Sequence, residues 1–210
     1  MRLRTLFLTL ACLLPTLFTS PLRSDAAETF VMAVNDVFPI SGRGMVAIGT
    51  VERGVVKVND TLELIGGPTA RTVTVSSIDL RGRALPEAKA GQEVGLVLRG
   101  VTSAEIRRGQ VLATAGVLKA VAVASARVEL LAADAGGRKG PITSSYRPLL
   151  RFRSLDTSAT FQLPSGQTEL APGASANPVE LRFSEAVPLE KGQSFEILEG
   201  GKTIGKGVIL

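Results

Sequence analysis

The residues whose type and spacing best suggest chemistry are those that could cradle a phosphate. Gly201-Lys202-Thr203 ends like a Walker A loop, in which backbone amides surround the phosphates and the lysine meets the terminal ones. The spacing G-x-x-x-x-G-K-[ST] then puts Glu196 where glycine is required, a carboxylate facing a would-be phosphate. Asp79-Leu80-Arg81-Gly82 fits D-x-x-G, a pattern that is uninformative without a phosphate loop, and no N-K-x-D occurs. Ser41-Gly42-Arg43-Gly44 offers a G-x-G, but it leads into Met45-Val46-Ala47-Ile48, a β-prone run. A dinucleotide loop needs a helix N-terminus there to receive the pyrophosphate. These glycines are expected as backbone devices, for positive φ at a turn and for close strand approach. GTP is not an expected ligand.

Other reactive constellations are also missing. The 210 residues include no His, which removes His-based triads and His metal sites. The single cysteine, Cys12, lies in an apolar leader. No convincing carboxylate pair stands out, so the chain is not read as an enzyme. No catalytic residue, metal site or cofactor is expected. The net charge of +5 comes from 24 Lys/Arg against 19 Asp/Glu. That balance permits an anionic partner without requiring one, and the basic residues form no long run.

The leader has the charged, apolar, small-residue order of a secretory signal. MRLR carries two arginines, Leu6 to Phe18 is apolar, and Ser24-Asp25-Ala26 fits a small-x-small cleavage site. The run is short of the roughly 20 residues of a spanning helix and is interrupted by Pro15. Cleavage after Ala26 and export, to a periplasm or the medium, are expected, with membrane contact only through the leader before cleavage. An uncleaved anchor and a wrongly assigned start remain alternatives. A lipobox at Thr9-Leu10-Ala11-Cys12 is weak, because Thr9 is not the usual aliphatic residue.

From Phe30 onward short strand follows short strand. The pattern predicts strands over Phe30 to Val37, Met45 to Arg53, Thr61 to Ile65, Arg71 to Leu80, Glu93 to Leu98 and Gln110 to Ala113. Val55 to Val58 reads as a link and Thr102 to Arg108 as one helical turn. After a boundary at Ala115 to Ala120, strands resume at Val121 to Ala132, Arg147 to Ser154, Thr160 to Leu163, Val179 to Pro188, Ser194 to Glu199 and Lys202 to Leu210. No long segment shows a 3.6-residue period. The expectation is an all-β chain: a leader over 1–26, then two antiparallel β-barrels over 27–116 and 117–210.

Several stretches carry a family resemblance. DVFPISGRGMVAIGTVERGVVKVNDTLEL (Asp36 to Leu64), EAKAGQEVGLVLRGV (Glu87 to Val101) and EIRRGQVLA (Glu105 to Ala113) closely resemble the second domain of elongation factor Tu and related translational GTPases. SYRPLLRFR (Ser145 to Arg153) and FEILEGGKTIGKGVI (Phe195 to Ile209) resemble hallmark stretches of its third domain. The resemblance covers Phe30 to Leu210, with the leader standing where the family has its GTPase domain. It implies two β-barrels side by side, the first holding the aminoacylated end of tRNA and the second meeting the T-stem.

By that resemblance, Asn35, Asp36 and Phe38 fall where the family lines the aminoacyl group, and Ile40, Gly42 and Val97 where it sandwiches the terminal adenine. Asp79 falls where a Glu contacts that end of the tRNA. The pattern departs at Asn35, usually acidic, at Ile48, where Thr is expected, and at Glu93, where an Asn binds the aminoacyl end. Glu185 falls where a basic residue meets a T-stem phosphate, and Gly200 at a backbone contact. Phosphate contacts dominate nucleic-acid affinity, so the changed charge at Glu185 argues against tRNA. Phe38, Ile40 and Val97 read also as barrel core or rim, and Asp36 and Asp79 as turn or edge residues. Arg107-Arg108-Gly109 reads as a packed loop closure and Tyr146-Arg147-Pro148 as an inter-barrel motif. The functional expectation is an exported, non-catalytic binding protein with a protein or small-molecule ligand, the alternative being a fragment that retains aminoacyl-tRNA binding.

Overall fold

The computed structural model describes residues 29–42 and 44–210. The expected leader with Cys12 lies outside the described residues, as does Arg43. The first half contains β1 (Val31–Ala33), β2 (Asp36–Ile40), β3 (Gly44–Arg53), β4 (Val55–Lys57), β5 (Thr61–Ile65), β6 (Arg71–Leu80), β7 (Arg83–Leu85), β8 (Glu87–Lys89), β9 (Glu93–Arg99) and β10 (Val111–Ala113). The second contains β11 (Lys119–Leu130), β12 (Ile142–Thr143), β13 (Leu149–Phe152), β14 (Leu155–Gln162), β15 (Glu169–Leu170), β16 (Ser175–Leu189), β17 (Ser194–Glu199) and β18 (Lys202–Ile209). One 3-10 turn, Ala133–Ala135, is the only helical element among the described residues.

Both halves close into antiparallel barrels, as the sequence pattern predicts. The first runs β1-β10-β5-β6-β9-β3 and closes where β3 returns to β1. The second closes as β11-β16-β14-β13-β17-β18. Alternation sorts the side chains. On β9, Val94, Leu96 and Leu98 point into the first core, while Glu93, Gly95, Val97 and Arg99 point out. The second core centres on Phe152, whose ring lies 4.9 Å from Phe195 and 5.7 Å from Phe183.

Three local expectations change. Phe30 to Val37 is two strands, broken at Val34-Asn35, so that β1 closes the barrel while β2 pairs only with β3. Val55–Lys57 is a strand pairing with β8, not a link. Thr102 to Arg108 forms hydrogen-bonded turns rather than a helix, with the Glu105 carboxylate accepting from the Thr102 amide and hydroxyl, each at 2.9 Å.

The barrels meet along a polar seam. The β13–β14 hairpin has a two-residue loop in which Arg153 takes φ 53°. Its Nε reaches the two Glu52 carboxylate oxygens at 2.7 and 2.8 Å, and its Nη2 reaches Glu190 at 2.6 Å. Arg53 binds the other Glu190 oxygen at 2.7 Å. Ser154 Oγ donates to the Val34 carbonyl at 3.1 Å. A small apolar cluster of Val31, Ile65, Val111 and Ala113 lies outside the first core, capped by Leu118 of the connection.

Candidate functional site

The β2–β3 hairpin builds the site. Ser41-Gly42 forms its turn, with Gly42 at φ 72°. At Gly44 a Cβ would strike the Leu98 carbonyl of β9, and at Gly49 it would strike the Ala33 carbonyl of β1. The glycines are thus turn and close-approach positions, and the phosphate-loop alternative ends there.

Register places the candidate residues in rows across four strands. Asp36 faces Ile48, Ile48 faces Gly95, and Gly95 faces Asp79. The next row is Phe38, Val46, Val97 and Ser77. Glu93 faces Thr50 in the row on the other side. Neighbouring strands lie about 4.8 Å apart and alternate residues about 6.7 Å, so these side chains share one outward surface. Phe38, Ile40, Ile48, Asp36, Asp79, Glu93 and Val97 are therefore brought together on the outer face of β2-β3-β9-β6. Val97 is buried, but by this face and not by the barrel core. The core reading of Phe38, Ile40 and Val97 gives way to an outward one, with Phe38 41% exposed.

The centre of the face is apolar. Gly95 lies there beside Val46, whose Cγ1 would be only 3.2 Å from an added Cβ. Its seam-side end is acidic. Asp36 Oδ1 accepts from the Val37 amide at 2.8 Å, and Asp79 Oδ1 accepts from the Gly82 amide at 2.9 Å, which closes the turn to β7. Asp79 is thus both a turn residue and part of the face. Among the described residues no salt bridge reaches Asp36, Asp79 or Glu93. Arg99, exposed two residues beyond Val97, stands at the opposite end.

Asn35 sits apart, at the seam. With Thr50, Glu52, Arg153 and Ser154 it lines a cleft of about 240 Å³. The hydrogen bond from Arg53, and then the nearby charges of Arg53 and Arg153, hold the Glu190 carboxyl below its ordinary range against an opposing effect of burial.

Glu185 and Gly200 do not form one surface. Glu185 pairs with Arg107 of the first barrel at 3.0 Å. Gly200, at φ 57°, is the tip of the β17–β18 hairpin. Three strand spacings separate β16 from β17, roughly 14 Å around the barrel. Arg107-Arg108-Gly109 does pack as a loop closure, with Arg108 Nε donating to the Ser154 carbonyl at 3.4 Å and Gly109 against Leu155. The inter-barrel reading of Tyr146 is corrected. Its hydroxyl donates to Glu199 at 3.1 Å, its ring packs on Phe161, and Arg138 lies 4.7 Å over it, all in the second barrel. Burial, with the Glu199 hydrogen bond, pushes its pKa up to about 12.

Sequence reasoning missed Val46, Ser77 and Gly95. The two-residue period from Ile48 and Val97 carries the signal for Val46 and Gly95, whereas the bulge on β6 hides Ser77. It also missed Glu52, Arg53, Arg153 and Glu190, which no spacing links. Family models match twice: Elongation factor Tu domain 2 over residues 44–113, and Elongation factor Tu C-terminal domain over residues 117–210. The chain therefore belongs to the elongation factor Tu family, through its domain 2 and its C-terminal domain.

Proposed function

We propose that this translation-factor-like β-barrel protein is an exported, non-catalytic binding protein whose ligand face is the outer surface of β2-β3-β9-β6. The observation that carries the reading is the chemistry of that face. An apolar strip of Phe38, Val46, Val97 and Ile48 ends at three carboxylates, Asp36, Asp79 and Glu93, that meet no cation among the described residues. Such a rim repels a phosphodiester and suits an apolar ligand with a cationic end, whether a small molecule or a protein side chain. Glu185, engaged with Arg107, adds a further carboxylate where a phosphate contact would need a cation. The leader supports export, and the lack of His in the sequence supports a role without acid–base catalysis.

The test is a photo-crosslinking residue placed at position 38 of the full chain, expressed in cells that are then fractionated. The expected product is an adduct on a chain that has lost the leader near Ala26, recovered from the exported fraction. A cytoplasmic chain that keeps Met1 overturns export, and adducts to tRNA overturn the proposed ligand class. Membership of the elongation factor Tu family favours one second reading, retention of aminoacyl-tRNA binding by these two domains.

A further inference from the structure

β14 and β16 separate at the seam. They pair only from Ala159 opposite Phe183 to Gln162 opposite Glu180. Beyond that point β16 bulges. Its partners on β11 jump from Val187, opposite Val121, to Arg182, opposite Val123, so residues 183–186 are looped out of that ladder. On its other side β14 stays paired with β13 as far as Phe152 opposite Leu155. In such a tight hairpin the closing pair is hydrogen-bonded and alternate residues repeat it. The Ala159 amide, donating to the Pro148 carbonyl at 3.4 Å, fits that phase. Leu155, Thr157 and Ala159 thus turn their main chains toward β13, and Asp156 and Ser158 turn theirs away.

On that side neither Asp156 nor Ser158 is paired with a residue of β16. The Ser158 carbonyl takes the Ser184 amide that closes the Ala159–Phe183 pair and also the Ser184 hydroxyl, at 3.4 Å, which leaves the Ser158 amide and the main chain of Asp156 open. Between the parted strands lies a groove of about 380 Å³, with residues 155–158 on one wall, residues 184–187 on the other and Arg107 at one end. Asp156, Ser184, Glu185 and Ala186 are exposed. We propose that this groove receives an extended peptide segment of a partner protein, which adds to β14 and hydrogen-bonds the main chain of Asp156 and the amide of Ser158.

The side chains narrow the segment's chemistry. Leu149, Leu155 and Val187 give apolar contact, and Thr157, Ser158 and Ser184 give hydroxyls. The bordering charges are already matched: Arg107 with Glu185 at 3.0 Å, and Arg151 with Asp156 through two bonds of 2.7 and 2.9 Å. An uncharged segment of small aliphatic and hydroxyl residues fits, and a charged one would have to displace an existing pair. This site is separate from the ligand face on the first barrel and stands without it.

Amide hydrogen exchange on the full chain tests the groove, with acetyl-VTVTV-amide as the probe. In the free protein the Asp156 and Ser158 amides should exchange about a hundredfold faster than Thr157 and Ala159. The peptide should slow both, and the same peptide N-methylated at alternate residues should not. Ala186→Trp, on the exposed wall, should abolish the effect while Thr157 stays protected. Equal protection of Asp156 and Thr157 in the free chain would show a closed groove and overturn the proposal. So would no slowing at millimolar peptide, or equal slowing by the methylated form. Protection that rises with protein concentration alone would assign the groove to a second copy of this chain and overturn the peptide assignment.

Discussion

Two glycines of one hairpin differ in what they do. Gly49 lies where the β1 backbone comes so close that a Cβ would overlap the Ala33 carbonyl, whereas Gly42 has open space and a positive φ. Gly49→Ala should therefore cost about 1–3 kcal/mol through overpacking at the barrel closure. Gly42→Ala should cost about 1 kcal/mol through backbone conformation alone. Urea unfolding of both variants checks this, and equal midpoints would contradict the assigned roles. The sequence signals that these glycines are backbone devices. It does not say which ones touch another strand, because Ala33 and Leu98 approach from strands distant in the chain. Phe38 tests the other residue-scale claim. Being 41% exposed, it should tolerate truncation to Ala with a loss of only about 1 kcal/mol, read from the unfolding midpoint. Adducts formed from a crosslinker at position 38 would mark it as a contact and not a core residue.

At the scale of elements, the outward face follows from period-two alternation on β2, β3 and β9. That much was legible, because a strand with both faces covered still fixes which residues share a side. The fate of each side was not legible. Val97 is as buried as a core residue, yet it lies outside the core cluster, on the outer face between Val46 and Ser77, a fact set by register across the strands. The break at Val34-Asn35 was also missed: Asn35-Asp36 disfavour a strand, but the apolar residues on both sides read as one run, and barrel closure bends the chain between them. The break leaves β2 with one open edge. Pro39 has no N–H to offer there, and the Val37 amide already donates to Asp36. This guards the edge against pairing with another chain. Replacing both guards, Pro39→Val with Asp36→Ala, should raise self-association in sedimentation velocity at increasing concentration. An unchanged monomer fraction would argue that the edge is protected in some other way.

At the scale of the whole molecule, the seam is a chain of alternating charges: Glu52, Arg153, Glu190 and Arg53. Arg153 is central, with its side chain only 12% exposed. Arg153→Ala leaves two glutamates without their shared partner and should cost about 3–5 kcal/mol of inter-barrel stabilisation. Calorimetry should then resolve two transitions, against a single one expected for the unaltered chain. The Glu190 carboxyl is held below its ordinary 4.5, chiefly by its hydrogen bond from Arg53. A depressed folded value means the unfolded chain binds the proton more readily. Its contribution is therefore present above about pH 4.5 and lost as pH falls through the folded value. Glu190→Gln should lower stability at neutral pH and flatten the acid side of the unfolding profile, as followed by thermal melts from acid to neutral pH. Nothing in the sequence paired these four residues, because Glu52 and Arg153 lie 101 residues apart and Glu190 a further 37 beyond, and only the packing of the two barrels joins them.

The central claim is that the first barrel's outer face serves a ligand other than the aminoacyl end of tRNA. The most direct measurement is titration of the full-length protein with fluorescent aminoacyl-tRNA and deacylated tRNA at about 50 mM salt, where phosphate contacts are strongest. The carboxylates of Asp36, Asp79 and Glu93 on that face predict no saturable binding of either. Saturable binding that favours the aminoacylated form, weakens with salt and is lost in Phe38→Ala would contradict the account.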